Sequence, residues 1–160
     1  MNTLYLLLGT NIGDKKSNLR EALAYILADI GDISKASKVY STGAWGKTDQ
    51  DDFLNQVICV TTKKSPSKIL KAIHSIEKKM GRVRKEKWSE RIIDIDILYF
   101  NDEIIVQKDL KIPHPELHKR RFTLIPLSEI APDLRHPVLN LTTLKLLFYC
   151  EDMLPVQPID

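Results

Sequence analysis

An α+β fold of the split β-α-β kind is predicted by three observations. An uninterrupted apolar run, TLYLLL at 3–8, ends at Gly9. Two stretches, 17–30 and 65–80, carry apolar residues at helical spacing. A third apolar stretch, IIDIDILYF at 92–100, is β-branched and interrupted only by two aspartates. Short apolar runs bounded by turn residues read as buried strands, whereas i, i+3, i+4, i+7 recurrence reads as a helix packed on one face.

The elements follow in order. Residues 3–8 form the first strand. Leu19, Leu23, Ile26 and Ile30 form the stripe of the first helix, and Gly31 stops it. Two strands are expected at 33–42 and 52–62, joined by the polar loop GAWGKTDQDD. Ser65 caps the second helix, Pro66 is its first residue, Ile69, Ile73, Ile76 and Met80 are its stripe, and Gly81 ends it. Residues 92–100 form a strand of central character, and Asn101-Asp102 a tight turn into 103–106. Short helical segments are expected around 123–130 and, more weakly, 141–149, with Pro115 starting another helix and PVQPID left as a loose tail. The order strand–helix–strand–strand–helix–strand is that of a ferredoxin-like core, here with a C-terminal extension, and one domain over 1–160 is expected. Fold of this kind leaves function open.

Composition narrows the classes. The net charge of +3 is too small for a general nucleic-acid binder, and no apolar stretch approaches the about 20 residues that span a bilayer. Cys59 and Cys150 suggest neither a disulfide framework nor a metal site, so a cytoplasmic protein with reduced thiols is expected. The cations are clustered at 78–91 and 118–121, which suits a compact polyanion or a solvated basic face.

Chemistry concentrates at 82–96. Alternation along a strand puts Asp94 and Asp96 on one face, about 7 Å apart, with Ile93, Ile95 and Ile97 on the other. Two such carboxylates repel unless a cation lies between them, and oxygen donors without His or Cys select Mg²⁺ over zinc. A solvated acidic face is the alternative. Arg82, Arg84, Lys85, Lys87 and Arg91 precede the pair, and cations beside a metal pair suit the charge that develops in phosphoryl transfer. Phe53 and Asn55 share a strand face, an aromatic plane beside a carboxamide that suits a flat heterocycle; Trp45, Trp88 and Phe122 are further loop aromatics. The histidines of HPELH (114–118) lack a third ligand for zinc, so His114 is expected to donate to a phosphate or ribose. His74 and His136 are expected to be structural or solvent-exposed, and GTNIGD lacks the lysine and spacing of a phosphate loop. A two-metal nucleotidyl transferase or cyclase and a non-catalytic RNA-binding module remain the alternatives; the latter wants paired exposed aromatics that neither DDFLNQV nor RIIDIDIL supplies.

Taken in order, GTNIGD, TGAWG, FLNQV, GRVRKEKWSERIIDIDIL and PHPELHKRRF resemble the 6-hydroxymethyl-7,8-dihydropterin pyrophosphokinases of folate biosynthesis over nearly the whole chain. The resemblance implies transfer of the β,γ-pyrophosphoryl group of ATP to the pterin hydroxymethyl, with AMP released. It implies Asp94 and Asp96 as ligands of two magnesium ions, and Arg82 and Arg91 as catalytic arginines. His74, Arg84, Trp88, Arg91, Ile97, His114 and Arg120 take the ATP contacts. Thr42, Gly43, Trp45, Phe53, Asn55, Trp88 and Phe122 take the pterin contacts. A monomer without nucleic-acid or membrane partners is expected. The chain departs from the family pattern at Ser89-Glu90 before the loop arginine, at Phe53 in place of Tyr, and at Gly43-Ala44-Trp45 in place of a Pro-Pro-Leu-like stretch. It also has Asp109 and Lys111 where a basic and a hydroxyl residue are usual, which argues against nucleotide contacts from that strand.

Overall fold

The computed structural model describes residues 1–43, 52–81 and 92–159. Strand β1 (Asn2–Thr10) is followed by helix α1 (Lys15–Asp29), strands β2 (Asp32–Ala36), β3 (Tyr40–Thr42) and β4 (Phe53–Thr62), helix α2 (Pro66–Lys79) and strand β5 (Asp94–Phe100). The extension adds strands β6 (Ile105–Val106) and β7 (Lys111–Ile112), a 3-10 turn (Leu117–Lys119), helices α3 (Arg121–Ile130) and α4 (Thr143–Tyr149), and strand β8 (Val156–Pro158). The main sheet runs β5-β1-β4-β3-β8, with β2 also on β4. The core is thus the expected ferredoxin-like arrangement, with β1 and β4 central and antiparallel.

Alternation along the strands supplies both faces. Leu4, Leu6, Leu8, Ile58, Val60, Ile95 and Ile97 meet Leu19, Ala22 and Ile26 of α1 and Ile69, Ile73 and Ile76 of α2. Tyr5, Leu7, Val57, Cys59, Leu98 and Tyr99 face the other way, onto Leu117, Leu124, Leu127 and Leu146 of the extension. Both helices of the core start as their sequences require. Asp14 accepts from Ser17 N–H at 3.1 Å and Ser65 from Lys68 N–H at 3.4 Å. GTNIGD is therefore a strand end and a helix cap, with Gly13 at φ 72° in the turn.

Five expectations are corrected. The strand predicted over 33–42 is two strands, because Val57 N–H donates to the Ser37 hydroxyl (3.0 Å) and Ser37 N–H to Val57 C=O (2.9 Å), a side chain interrupting the ladder. Strand β5 is an edge strand, not a central one; it is apolar because α2 covers one face and the extension the other, and its register slips opposite Tyr5/Leu6. The turn at 101–102, with Asn101 at φ 50°, leads to β6, which pairs with β7 rather than folding back on β5. Pro115 lies in a turn, and the helical residues begin only at Leu117. The tail is not loose: β8 pairs with β3, Thr42 opposite Val156 and Tyr40 opposite Pro158. Neither propensity nor apolar period marks PVQPID as a strand; its pairing is decided by the free edge of β3.

Candidate active site

Sheet register assembles the site. Gly9 of β1 lies opposite Asp94 of β5 on one side and Asn55 of β4 on the other, so three strands present one row on the face toward the extension. Two strand spacings separate Asp94 from Asn55 by about 10 Å. Gly9, between them, offers no side chain; a Cβ there would stand 3.1 Å from Asn55 Oδ1 and 3.9 Å from a ring carbon of Phe53. The result is a floor bounded by carboxylates at one end and an aromatic ring with a carboxamide at the other. Asp96 follows on the same face, opposite Leu7. Both aspartates are half-buried.

The carboxamide end is held. Asn55 is buried and its Nδ2 donates to Thr42 Oγ1 at 3.2 Å, which fixes the amide from β3. Gly43 follows Thr42, and among the described residues nothing lies within 4 Å of where its Cβ would be. Phe122, at the start of α3, packs on the same face, and the Arg120 guanidinium lies 5.5 Å from its ring centre.

At the edge of β5 a cavity of about 370 Å³ opens between α2, β5 and the β6–β7 hairpin. Leu70, Ile73, Ile95, Ile97 and Leu110 give it apolar walls, and His74, Glu77, Asp94, Asp96 and His114 line it with polar atoms. That volume lies in the range of small-molecule sites. His114 is anchored through its backbone N–H to Leu98 C=O (3.0 Å), and its Nδ1 accepts from Glu116 N–H (3.1 Å). With Nδ1 so engaged, the neutral ring carries its proton on Nε2 as a donor. Burial and then the Arg120 charge push its pKa down to about 4, against the opposing pull of Asp94 and Glu116, so the ring is neutral at pH 7. Its neighbours also show that Arg120 and Asp94 lie close to one imidazole.

Of the residues the sequence singles out, Asp94, Asp96, His74, Ile97 and His114 meet at the cavity, while Thr42, Gly43, Phe53, Asn55 and Phe122 gather at the carboxamide end. Arg120 stands between the two groups. Trp45, Arg82, Arg84, Trp88 and Arg91 lie outside the described residues. His74 is exposed at the cavity rim, and His136 is structural: buried, its Nδ1 accepts from Val138 and Leu139 N–H at 3.2 and 3.1 Å. Lys108, Asp109 and Lys111 also line the cavity, because the β6–β7 hairpin turns its tip toward it.

Two residues went unnoticed in the sequence. Gly9 looked like a strand terminator; its role as floor follows from register. Glu77 is 4% exposed, and its carboxylate accepts from Ile95 N–H at 3.0 Å, satisfying a donor on the unpaired edge of β5. Its signal was legible: position 77 is four residues after Ile73, so a charge sits on the buried stripe of α2.

Oxygen donors on an open floor fit magnesium. Among the described residues no group of three or more His, Cys, Asp or Glu could hold an ion alone. Magnesium on Asp94 and Asp96 would need water and substrate oxygens to complete its shell, the usual habit of Mg²⁺. Paired carboxylates beside a neutral imidazole donor and a nucleotide-sized cavity, on a ferredoxin-like sheet, are the parts of a phosphoryl-transfer enzyme.

Which such enzyme is given by likeness. Residues 5–132 match the family model described as 7,8-dihydro-6-hydroxymethylpterin-pyrophosphokinase (HPPK). The chain is 45% identical over 138 residues to the 2-amino-4-hydroxy-6-hydroxymethyldihydropteridine pyrophosphokinase of Aquifex aeolicus, covering 86% of each. It is 39% identical to that of Bacillus subtilis over 131 residues, covering 81% of this chain and 78% of the relative. A crystal structure of a Plasmodium falciparum HPPK-DHPS triple mutant superposes with a TM-score of 0.76 at 22% identity, over 92% of this chain and 44% of that one, a likeness of fold. The chain thus spans under half of that solved polypeptide. The chain belongs to the HPPK family and is a pyrophosphokinase, an ATP-dependent diphosphotransferase.

Proposed function

We propose that the floor and the adjoining cavity divide the reaction between them, the nucleotide in the cavity and the pterin at the Phe53–Asn55 end. The reaction moves pyrophosphate from ATP to hydroxymethyldihydropterin, a step of folate biosynthesis. The observation that carries the division is the row Asp94–Gly9–Asn55, which sets the metal carboxylates and the heterocycle's carboxamide about two strands apart across a surface without side chains.

Leu70, Ile73, Ile97 and Leu110 give the adenine an apolar slot, with His74 at its rim. Neutral His114 donates from Nε2 to a phosphate or ribose oxygen, and Arg120 adds a fixed positive charge between nucleotide and pterin. Asp94 and Asp96 hold magnesium, two ions in this reading, which supply Lewis-acid neutralisation of the triphosphate when bound. Phe53 and Phe122 stack on the pterin from sheet and helix, and Asn55, oriented by Thr42, reads its polar edge. Gly43 lines the same subsite, and Trp45 is assigned to it as a pterin contact. Arg82 and Arg91, with Arg84 and Trp88, contact the phosphates and stabilise charge as the β-phosphorus passes to the hydroxymethyl oxygen. No general base is needed beyond this, since phosphoryl transfer depends chiefly on positioning and charge. The enzyme acts as a one-domain monomer in the cytoplasm; among the described residues no helix is long and apolar enough to cross a membrane.

The test is product analysis. Incubation with ATP, Mg²⁺ and 6-hydroxymethyl-7,8-dihydropterin should yield AMP and the pterin diphosphate in equal amounts. Release of free pyrophosphate with a nucleotidylated product would support the nucleotidyl transferase instead.

A further inference from the structure

The segment after α4 lies beyond the region matched by the family model, which ends at residue 132. It makes two attachments, each beside one half of the pterin floor. The first is at the start of α3. Arg120, in the N-cap position, makes no side-chain cap bond. Asp152 supplies it from 31 residues away: its Oδ2 accepts from Arg121 N–H at 3.0 Å, while its Oδ1 accepts from Leu154 N–H at 3.0 Å. One carboxylate thus ties the helix start, next to Phe122, to its own strand-ward segment. A carboxylate at that end is also favoured by the helix dipole.

The second attachment is β8 on β3. Val156 lies opposite Thr42 and Gln157 opposite Ser41, and Ile159 N–H donates to Val39 C=O at 2.9 Å. Ile159 packs against the core below. Only a few residues separate Asp152 from Val156, and an extended chain covers at most about 3.6 Å per residue, so the two attachments cannot drift apart. A second tie runs parallel: Tyr40 O–H donates to Glu129 of α3 at 2.6 Å.

We propose that Asp152 is a positioning residue for the pterin subsite, the strap 152–159 setting the gap between Phe122 on α3 and Thr42, Asn55 and Phe53 on the sheet. This rests on the pterin role of Phe53, Asn55 and Phe122 given above. A stacked ring needs its two faces held at one spacing; α3 packs directly on β4 and β3, and the strap adds a hydrogen-bonded tie at its first turn, beside Phe122. The nucleotide cavity, lined by α2, β5 and the β6–β7 hairpin, has no lining residue from the strap.

The experiment compares wild type, Asp152→Ala, Asp152→Asn and Gln157→Pro in the full chain, with Phe53→Ala as reference. KM for the hydroxymethylpterin is measured well below each melting temperature, and the Kd of a non-hydrolysable ATP analogue with Mg²⁺ by calorimetry. Asp152→Ala is expected to raise the pterin KM about tenfold with the nucleotide Kd changed less than twofold. Asp152→Asn, which keeps one acceptor oxygen, should recover most of that loss. Gln157→Pro, which attacks the other attachment, should show the same split, and serves if Asp152→Ala does not fold. A pterin KM within twofold of wild type in the Asp152 and Gln157 variants, or an equal rise in KM and nucleotide Kd, overturns the proposal and leaves the strap a fold-stabilising cap. If Phe53→Ala too leaves the pterin KM unmoved, it is the assignment of the subsite that has failed, and the strap proposal falls with it.

Discussion

Replacing Gly9 by Ala adds one methyl to the floor between Asp94 and Asn55, the proposed metal and pterin ends. The backbone permits it: among the described residues the glycines with positive φ are Gly13 and Gly81, not Gly9. The cost therefore comes from space. The new Cβ would meet Asn55 Oδ1 at 3.1 Å, a few tenths of an ångström too close, and that amide cannot simply yield, because it is buried and bonded to Thr42 at 3.2 Å. Shifting it forfeits part of a hydrogen bond, about 1 kcal/mol. The methyl also lifts whatever lies on the floor, and overpacking of this kind costs about 1–3 kcal/mol. Together these come to about 2–4 kcal/mol, and since 1.4 kcal/mol is about tenfold, the pterin KM should rise about 30- to 700-fold. The nucleotide cavity, on the far side of Asp94, should keep its affinity within about twofold. Steady-state kinetics varying each substrate in turn, with a melting curve to show the fold intact, reads this directly. An unchanged pterin KM would falsify the placement of the ring over Gly9.

Three further outcomes follow from the same geometry. Asp96→Asn and Asp94→Asn should each remove most of the turnover while the melting temperature falls little, since both side chains are half-buried and lie at the sheet's functional end; Asp96→Asn retaining a near-normal rate would contradict the metal assignment. Glu77→Ala should cost about 1–3 kcal/mol in denaturant unfolding by leaving Ile95 N–H without its acceptor, and Glu77→Gln, whose amide oxygen can accept, should restore much of it. Burial first, and the His118 charge second, hold the His136 imidazole below its usual range. The folded state therefore takes up that proton less readily than the unfolded chain. The stability His136 provides is full above about pH 6.5 and declines as pH falls through its depressed pKa. The melting temperature should thus drop between pH 7.5 and 5, and the gap between wild type and His136→Gln should narrow over that interval.

Much of the molecule is legible in its residues. The apolar stripes at Leu19–Ile30 and Ile69–Met80, the Ser65-Pro66 start and the apolar runs at 3–8 and 92–100 name the core elements, because each must bury a face at its own period. The alternation of Asp94 and Asp96 with isoleucines likewise forecasts which side chains share a face. Pairing is a different matter. Strand β5 has the composition of a central strand, since burial on both faces is what composition records, and yet it is an edge. PVQPID has no strand signal, and β3 pairs with it nonetheless.

What the sequence determined alone is most of the core elements, the carboxylate pair and the aromatic and amide candidates, all of which depend on neighbours within a few positions. Tertiary structure decided that Gly9 lies between Asp94 and Asn55, that Glu77 serves a strand edge, and that Asp152 caps a helix 31 residues earlier. The physical reason is that register, edge exposure and capping from afar are set by backbone groups seeking partners across the whole chain, and periodicity along the chain carries no record of them.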